Sequence, residues 1–141
     1  MASRLGCWMA RVMLSDAEFR SSDGLVPVPL RPEKTRERGY PPVVLLAEVV
    51  AGRTRVPVLG DVLFKTRATR SQTGLPPQER ICNPRNSFGI QNPERVSGRR
   101  LVLVDDVLTS GSTAAVAAAL LLDHGAAEVR VLAAARTPVA L

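Results

Sequence analysis

Apolar residues fall along this chain in short blocks whose lengths and flanks separate strands from helices. Leu25-Val26-Pro27-Val28 is short, apolar and β-branched, which predicts a strand. Pro27 has no N–H to give to a ladder, so it places that strand at a sheet edge or a strand end. Val43 to Val50 carries Glu48 as its only charge, between Pro41-Pro42 and Gly52. That block predicts a buried helix with proline in its first turn. Leu101 to Val104 is four consecutive apolar residues after the polar Ser97-Gly98-Arg99-Arg100, the pattern of a central parallel strand covered on both faces. Ser112 to His124, rich in alanine and leucine, predicts a helix stopped by Gly125, and Glu128 to Ala134 returns as a strand.

Strands alternating with helices predict an α/β fold, a parallel sheet flanked by helices. Residues 65–98 break that rhythm with Pro76, Pro77, Pro84, Pro93 and many polar groups. A hairpin with a mobile, lid-like loop is the expectation there. Trp8, Met9, Val12 and Met13 stand at helical spacing and predict a turn or two of amphipathic helix. The rest of residues 1–23 shows no clear element. The expected organisation is a poorly defined segment over 1–23 and one domain over 24–141 with an insert at about 65–98.

Composition narrows the classes. The 141 residues, 45% of them hydrophobic, fit one domain with a single core. No run of eighteen apolar residues predicts a membrane span, and Gly6 and Arg11 interrupt the only stretch resembling a leader, so a cytoplasmic location is expected. Cys7 and Cys82 lack CxxC spacing, and His124 is the only histidine, which argues against a structural zinc site and for ordinary thiols. His124 itself reads as a capping or surface residue.

The net charge of +6 is unevenly spread. Lys65, Arg67, Arg70, Arg80 and Arg85 face only Glu79 within 65–85, whereas 101–141 holds four acids against Arg130 and Arg136. A basic middle beside an acidic motif suits a polyanionic ligand that also brings hydroxyls or a metal.

The candidate chemistry lies at 105–113. Asp105 and Asp106 follow the apolar strand, where open α/β sheets place ligands. Val107 and Leu108 then lead into Thr109, Ser110, Gly111, Ser112 and Thr113, which run directly into a helix. Such a turn exposes successive backbone N–H groups at the positive end of a helix dipole, a phosphate cradle without lysine. Carboxylates repel phosphate, so their partners are neighbouring hydroxyls or a divalent metal. A ribose phosphate offers both kinds of group. A receiver domain would place the acid pair on its first strand with most of the domain following. A Walker loop needs Gly-Lys-Ser/Thr. A plain capping turn leaves the two acids unexplained.

The stretch 101–113 resembles the motif that binds phosphoribosyl pyrophosphate in type I phosphoribosyltransferases. The resemblance implies that fold, with Asp105 and Asp106 on the ribose hydroxyls, Thr109 to Thr113 on the 5-phosphate, and magnesium arriving with the sugar pyrophosphate. Val26-Pro27-Val28-Pro29-Leu30 and Arg36-Glu37-Arg38-Gly39-Tyr40 are similar to the first strand and pyrophosphate loop of the ComF-like branch, linked to DNA uptake in competent bacteria. Gln72, Leu75, Arg80, Asn83 and Phe88 resemble that branch's insert, and Gly125 to Arg136 its closing segment.

By that resemblance, Leu30, Arg31, Arg36 and Arg38 are pyrophosphate-loop candidates, and Arg67, Gln72 and Arg80 flexible-loop candidates. Transfer of phosphoribose to a nitrogen nucleophile is the implied activity, with single-stranded DNA or competence proteins as further partners. An accessory DNA-binding protein that keeps the sugar site is the alternative. Pro41-Pro42 stand where the branch usually has Asn-Gln. Relatives usually begin with a cysteine-rich zinc module and a helix packed on the sheet; residues 1–23 stand in that place, as expected of a truncated start or a reduced paralogue.

Overall fold

The computed structural model describes residues 2–29, 42–66 and 88–138. Helix α1 (Ala2–Ser15) and the short α2 (Ala17–Arg20) lead into strand β1 (Gly24–Pro27). Helix α3 (Pro42–Thr54) follows, then β2 (Leu63–Lys65) and β3 (Phe88–Ile90). Strand β4 (Arg100–Leu108), helix α4 (Ser112–Asp123) and strand β5 (Glu128–Arg136) close the order.

Strands β1, β4 and β5 form a parallel sheet with β4 in the centre, as its unbroken apolar run requires. Side chains alternate across a strand, so β4 serves two cores. Val102 and Val104 pack with Met9, Ala10 and Met13 of α1 and with Leu46, Ala47 and Val50 of α3. Leu101 and Leu103 pack on the other face with Ala117 and Leu121 of α4 and with Val28, Leu63 and Phe88. Both faces are covered.

Pro27 ends β1, as its chemistry demands. The Leu25 N–H donates to the Pro57 carbonyl (2.8 Å) and the Leu59 N–H to the Leu25 carbonyl (2.7 Å), forming a short parallel bridge at Val58. Pro27 points its ring nitrogen toward the same side one step past that bridge, where no donor is needed. On the other side, the Val28 N–H reaches the Val104 carbonyl (2.9 Å) and ties the exit of β1 to the site described below.

The structure differs from the sequence expectations in two places. Helix α1 is much longer than a turn or two, and only half of its expected stripe faces inward: Met9 and Met13 are buried, while Trp8 is 69% exposed. Strand β4 also runs four residues past Val104 and carries both acids within it. Strands β2 and β3 pair antiparallel and form the base of the expected hairpin; residues 67–87 between them lie outside the described residues. No helix among the described residues is long and apolar enough to cross a membrane.

Candidate functional site

The β4–α4 turn is built by strand alternation and one glycine. Odd residues of β4 face α4, so Asp105 follows Leu101 and Leu103 and emerges where the apolar wall ends. Gly111 caps α4 with φ +81°, the left-handed region that residues with a Cβ enter only at a cost, and a Cβ added there would meet nothing within 4 Å. The backbone conformation, not space, calls for glycine. The turn stays open, and its hydroxyls are held in place: Ser110 and Ser112 share a hydrogen bond (2.7 Å), and the Ser112 N–H donates to Ser110 Oγ (3.3 Å).

A cavity of about 110 Å³ opens above the strand ends. One wall comes from Asp105, Val107, Leu108, Thr109, Gly111 and Thr113, backed by Ala114. Val28, Pro29 and Lys65, from the exits of β1 and β2, also line it. The other residues of the 105–113 stretch, Asp106, Ser110 and Ser112, stand beside the cavity rather than in its lining.

The acids act as a pair. The Asp106 N–H donates to Asp105 Oδ1 (2.8 Å), and the Val107 N–H donates to Asp106 Oδ1 (2.7 Å). The Asp105 carboxyl is raised from 3.8 to about 6. Burial is the main cause; the Asp106 side chain adds to it by hydrogen bonding to the protonated form and by its charge. The Asp106 N–H and the Lys65 ammonium pull the other way and do not outweigh them. A carboxyl poised in this way accepts hydrogen bonds strongly once ionised, which suits neutral hydroxyl donors.

Lys65 is the residue that sequence reasoning missed. It entered there only as one of five charges in the basic middle of the chain. Its place follows from the β2–β3 register, which sets Lys65 opposite Phe88, with its ammonium 5.2 Å from that ring. Leu30, Arg31, Arg36 and Arg38, and likewise Arg67, Gln72 and Arg80, lie outside the described residues. His124 caps α4, its Nδ1 2.9 Å from the Leu120 carbonyl oxygen, and so stands at the far end of the helix from the cavity.

A parallel sheet whose central strand carries two acids into a glycine turn and helix is the arrangement expected of the family that 101–113 resembles, and comparison with known proteins shows that family. The family model described as phosphoribosyl transferase domain matches residues 37–140. This chain belongs to the type I phosphoribosyltransferase family, in its ComF-like branch. It is 38% identical over 115 residues to the DNA utilization protein YhgH of Escherichia coli strain K12, covering 82% of this chain and 50% of that protein. It is 31% identical over 120 residues to competence protein F of Haemophilus influenzae, covering 84% of this chain and 52% of that protein. The chain thus spans about half the length of these relatives.

Among solved structures, the allosteric regulatory enzyme of purine biosynthesis superposes with a TM-score of 0.66 at 25% identity, over 94% of this chain and 25% of that one. The purine phosphoribosyltransferase from Pyrococcus horikoshii shares the fold with a TM-score of 0.54 at 18% identity, over 97% of this chain and 75% of that one.

Proposed function

We propose that this chain binds phosphoribosyl pyrophosphate with magnesium at the β4–α4 turn and transfers its phosphoribosyl group to a nitrogen nucleophile. The observation that carries the reading is one cavity lined both by the Asp105 carboxylate and by the Thr109, Gly111 and Thr113 turn at the start of α4. Acid on one side and amide donors on the other match the two ends of a ribose 5-phosphate. Asp105 and Asp106 would accept hydrogen bonds from the ribose hydroxyls, and the turn's N–H groups and hydroxyls would hold the 5-phosphate at the positive end of the helix dipole.

In the reaction, a nitrogen lone pair forms a bond to C1 as the bond from C1 to pyrophosphate breaks, and pyrophosphate leaves with that electron pair. Positive charge gathers on the ribose at the transition state. Fixed carboxylates beside the ring stabilise that charge, and a firm grip on the 5-phosphate keeps C1 in line.

The donor set fits magnesium carried in by the ligand. Among the described residues no group of three or more His, Cys, Asp or Glu side chains gathers to hold a metal ion. Magnesium typically takes one or two carboxylates together with substrate phosphates, and Asp105 and Asp106 are the hard oxygen donors available to it here. When bound, it neutralises charge developing on the leaving pyrophosphate.

Calorimetric titration of phosphoribosyl pyrophosphate with magnesium into folded protein tests the reading. Saturable binding at one site per chain is expected, and absence of binding contradicts it.

A second reading, DNA binding by a competence-linked accessory protein, is favoured by one surface. A groove along α1 is lined by Ser3, Arg4, Cys7, Trp8, Arg11 and Arg53, and no carboxylate among the described residues pairs with those arginines. A projecting indole among cations is the stacking element that single-stranded nucleic acid uses. Binding of a single-stranded oligonucleotide that falls steeply with salt and is lost in Trp8→Ala is expected; salt-insensitive or unchanged binding contradicts it.

A further inference from the structure

Strand β5 bounds the parallel sheet on one side, and among the described residues it pairs only with β4. Its nine residues are long for a sheet edge, and they include Val129, Val131, Leu132 and three alanines. The N–H groups of Ala127 and Thr137, at the two ends of the strand, donate to the Arg99 and Leu108 carbonyls on the β4 side. Successive residues of a strand turn their backbone groups to opposite edges. Glu128, Arg130, Leu132, Ala134 and Arg136 therefore turn theirs away from β4, as a row of donors and acceptors open to another strand.

Charge along that row selects the strand that fits. Glu128 stands at its start and Arg136 at its end. A second copy of β5, running antiparallel about a twofold axis at Leu132, sets Glu128 of each copy opposite Arg136 of the other. Arg130 then faces Ala134, which carries no charge, and the exposed Val131 is covered by Ala133. An axis at Arg130 would oppose two arginines, and an axis at Ala133 would oppose Arg130 to Arg136, so the charges fix the register. Among the described residues Arg136 takes part in no ion pair, and Arg130 keeps Glu18 when Glu128 turns to the second copy.

We propose that β5 is the contact of a symmetric dimer, in which two copies of this chain pair edge to edge and join their sheets in the order β1-β4-β5-β5-β4-β1. Because the two β5 strands run antiparallel, the two β4–α4 cavities open at opposite ends of the joined sheet. The dimer does not depend on what that cavity binds.

Sedimentation equilibrium of the full chain over a series of concentrations tests this. A mass of twice the 15.2 kDa of one chain is expected at the upper concentrations. Arg136→Glu sets like charges together at both ends of the pairing and should weaken the dimer by about tenfold or more, and Glu128→Arg should do the same. Mixed in equal amounts, the two variants should dimerise with each other, because one then carries only acids and the other only arginines at the opposed positions. Ala134→Pro removes an outward N–H without touching the β4 ladder and should also weaken the dimer by about tenfold or more. Melting curves establish that each variant is folded.

A chain that keeps the mass of one copy at every concentration overturns the proposal. So does a dimer that survives Arg136→Glu and Ala134→Pro unchanged, since the copies then meet elsewhere, and so does a mixture of the charge variants that stays monomeric. If Ala134→Pro does not fold, the two charge variants and their mixture decide the matter by the same criteria.

Discussion

Gly6 of α1 faces Val49 of α3 so closely that a Cβ added to Gly6 would lie 2.6 Å from both the Cβ and the Cγ1 of Val49. The amino-terminal helix is therefore seated on α3 by direct contact of its backbone surface, and with it Met9, Ala10 and Met13 complete the core on that face of the sheet. In an open helix, Gly→Ala stabilises by up to about 1 kcal/mol. Here the added methyl must displace a helix, because Val49 Cβ cannot rotate away, and overpacking of this kind costs about 1–3 kcal/mol. Gly6→Ala should thus lower stability in urea titration. A more stable Gly6→Ala protein would mean that α1 does not pack as described.

Asp105 gives the fold a pH dependence of its own. Its carboxyl titrates near 6 in the folded chain against an ordinary value of 3.8, so between those values the native state keeps a proton that the unfolded chain has lost. Stability from this group is full below about pH 4 and is lost as pH rises through about 6. Asp105→Asn removes the titration. Melting temperatures of the ligand-free proteins should diverge above pH 6, with the variant higher, and converge toward pH 4. Parallel curves across that range would contradict the buried, paired state of Asp105.

Gly111 carries a left-handed backbone with open space around it, so the cost of a side chain there is conformational and not steric. Gly111→Ala should destabilise the chain by about 1–2 kcal/mol, measured by chemical denaturation. An unchanged midpoint would show that the turn can adopt another conformation. If N–H groups of this turn grip phosphate, the same variant should also weaken ribose 5-phosphate binding beyond its effect on folding.

Asp106 stands beside the cavity, yet its side chain hydrogen-bonds the Asp105 carboxyl and its N–H donates to Asp105 Oδ1. Asp106→Asn should weaken phosphoribosyl pyrophosphate by about 1.5–3 kcal/mol if both acids hold hydroxyls. Calorimetry reads this directly, and an unchanged affinity would leave Asp105 as the sole acid on the ribose.

The parts of the molecule that could be read from the sequence are those fixed by local pattern. Leu101 to Val104 read as a covered central strand, Pro27 as the mark of a sheet edge or a strand end, and the Thr109 to Thr113 turn as the entry to an alanine-rich helix. Where side chains meet across the fold, local pattern was silent. Lys65 lies forty residues before Asp105, and only the pairing of Lys65 with Phe88 and the docking of that hairpin on α4 bring it to the cavity. Trp8 and Met9 share one apolar stripe in sequence, but the close seat of Gly6 on Val49 sets the roll of α1, turning Met9 inward and Trp8 outward. The end of β4 also lay beyond local pattern, because pairing of Val107 with Ala135 and Leu108 with Arg136 carries the strand through two acids that intrinsic preference disfavours there.

A crystal structure of the chain with phosphoribosyl pyrophosphate and magnesium tests the central claim most directly. The account predicts the 5-phosphate within about 2.7–3.2 Å of N–H groups in 109–113, and ribose hydroxyls donating to Asp105 and Asp106 at similar distances. A sugar bound elsewhere, or a phosphate turned away from the start of α4, would contradict it.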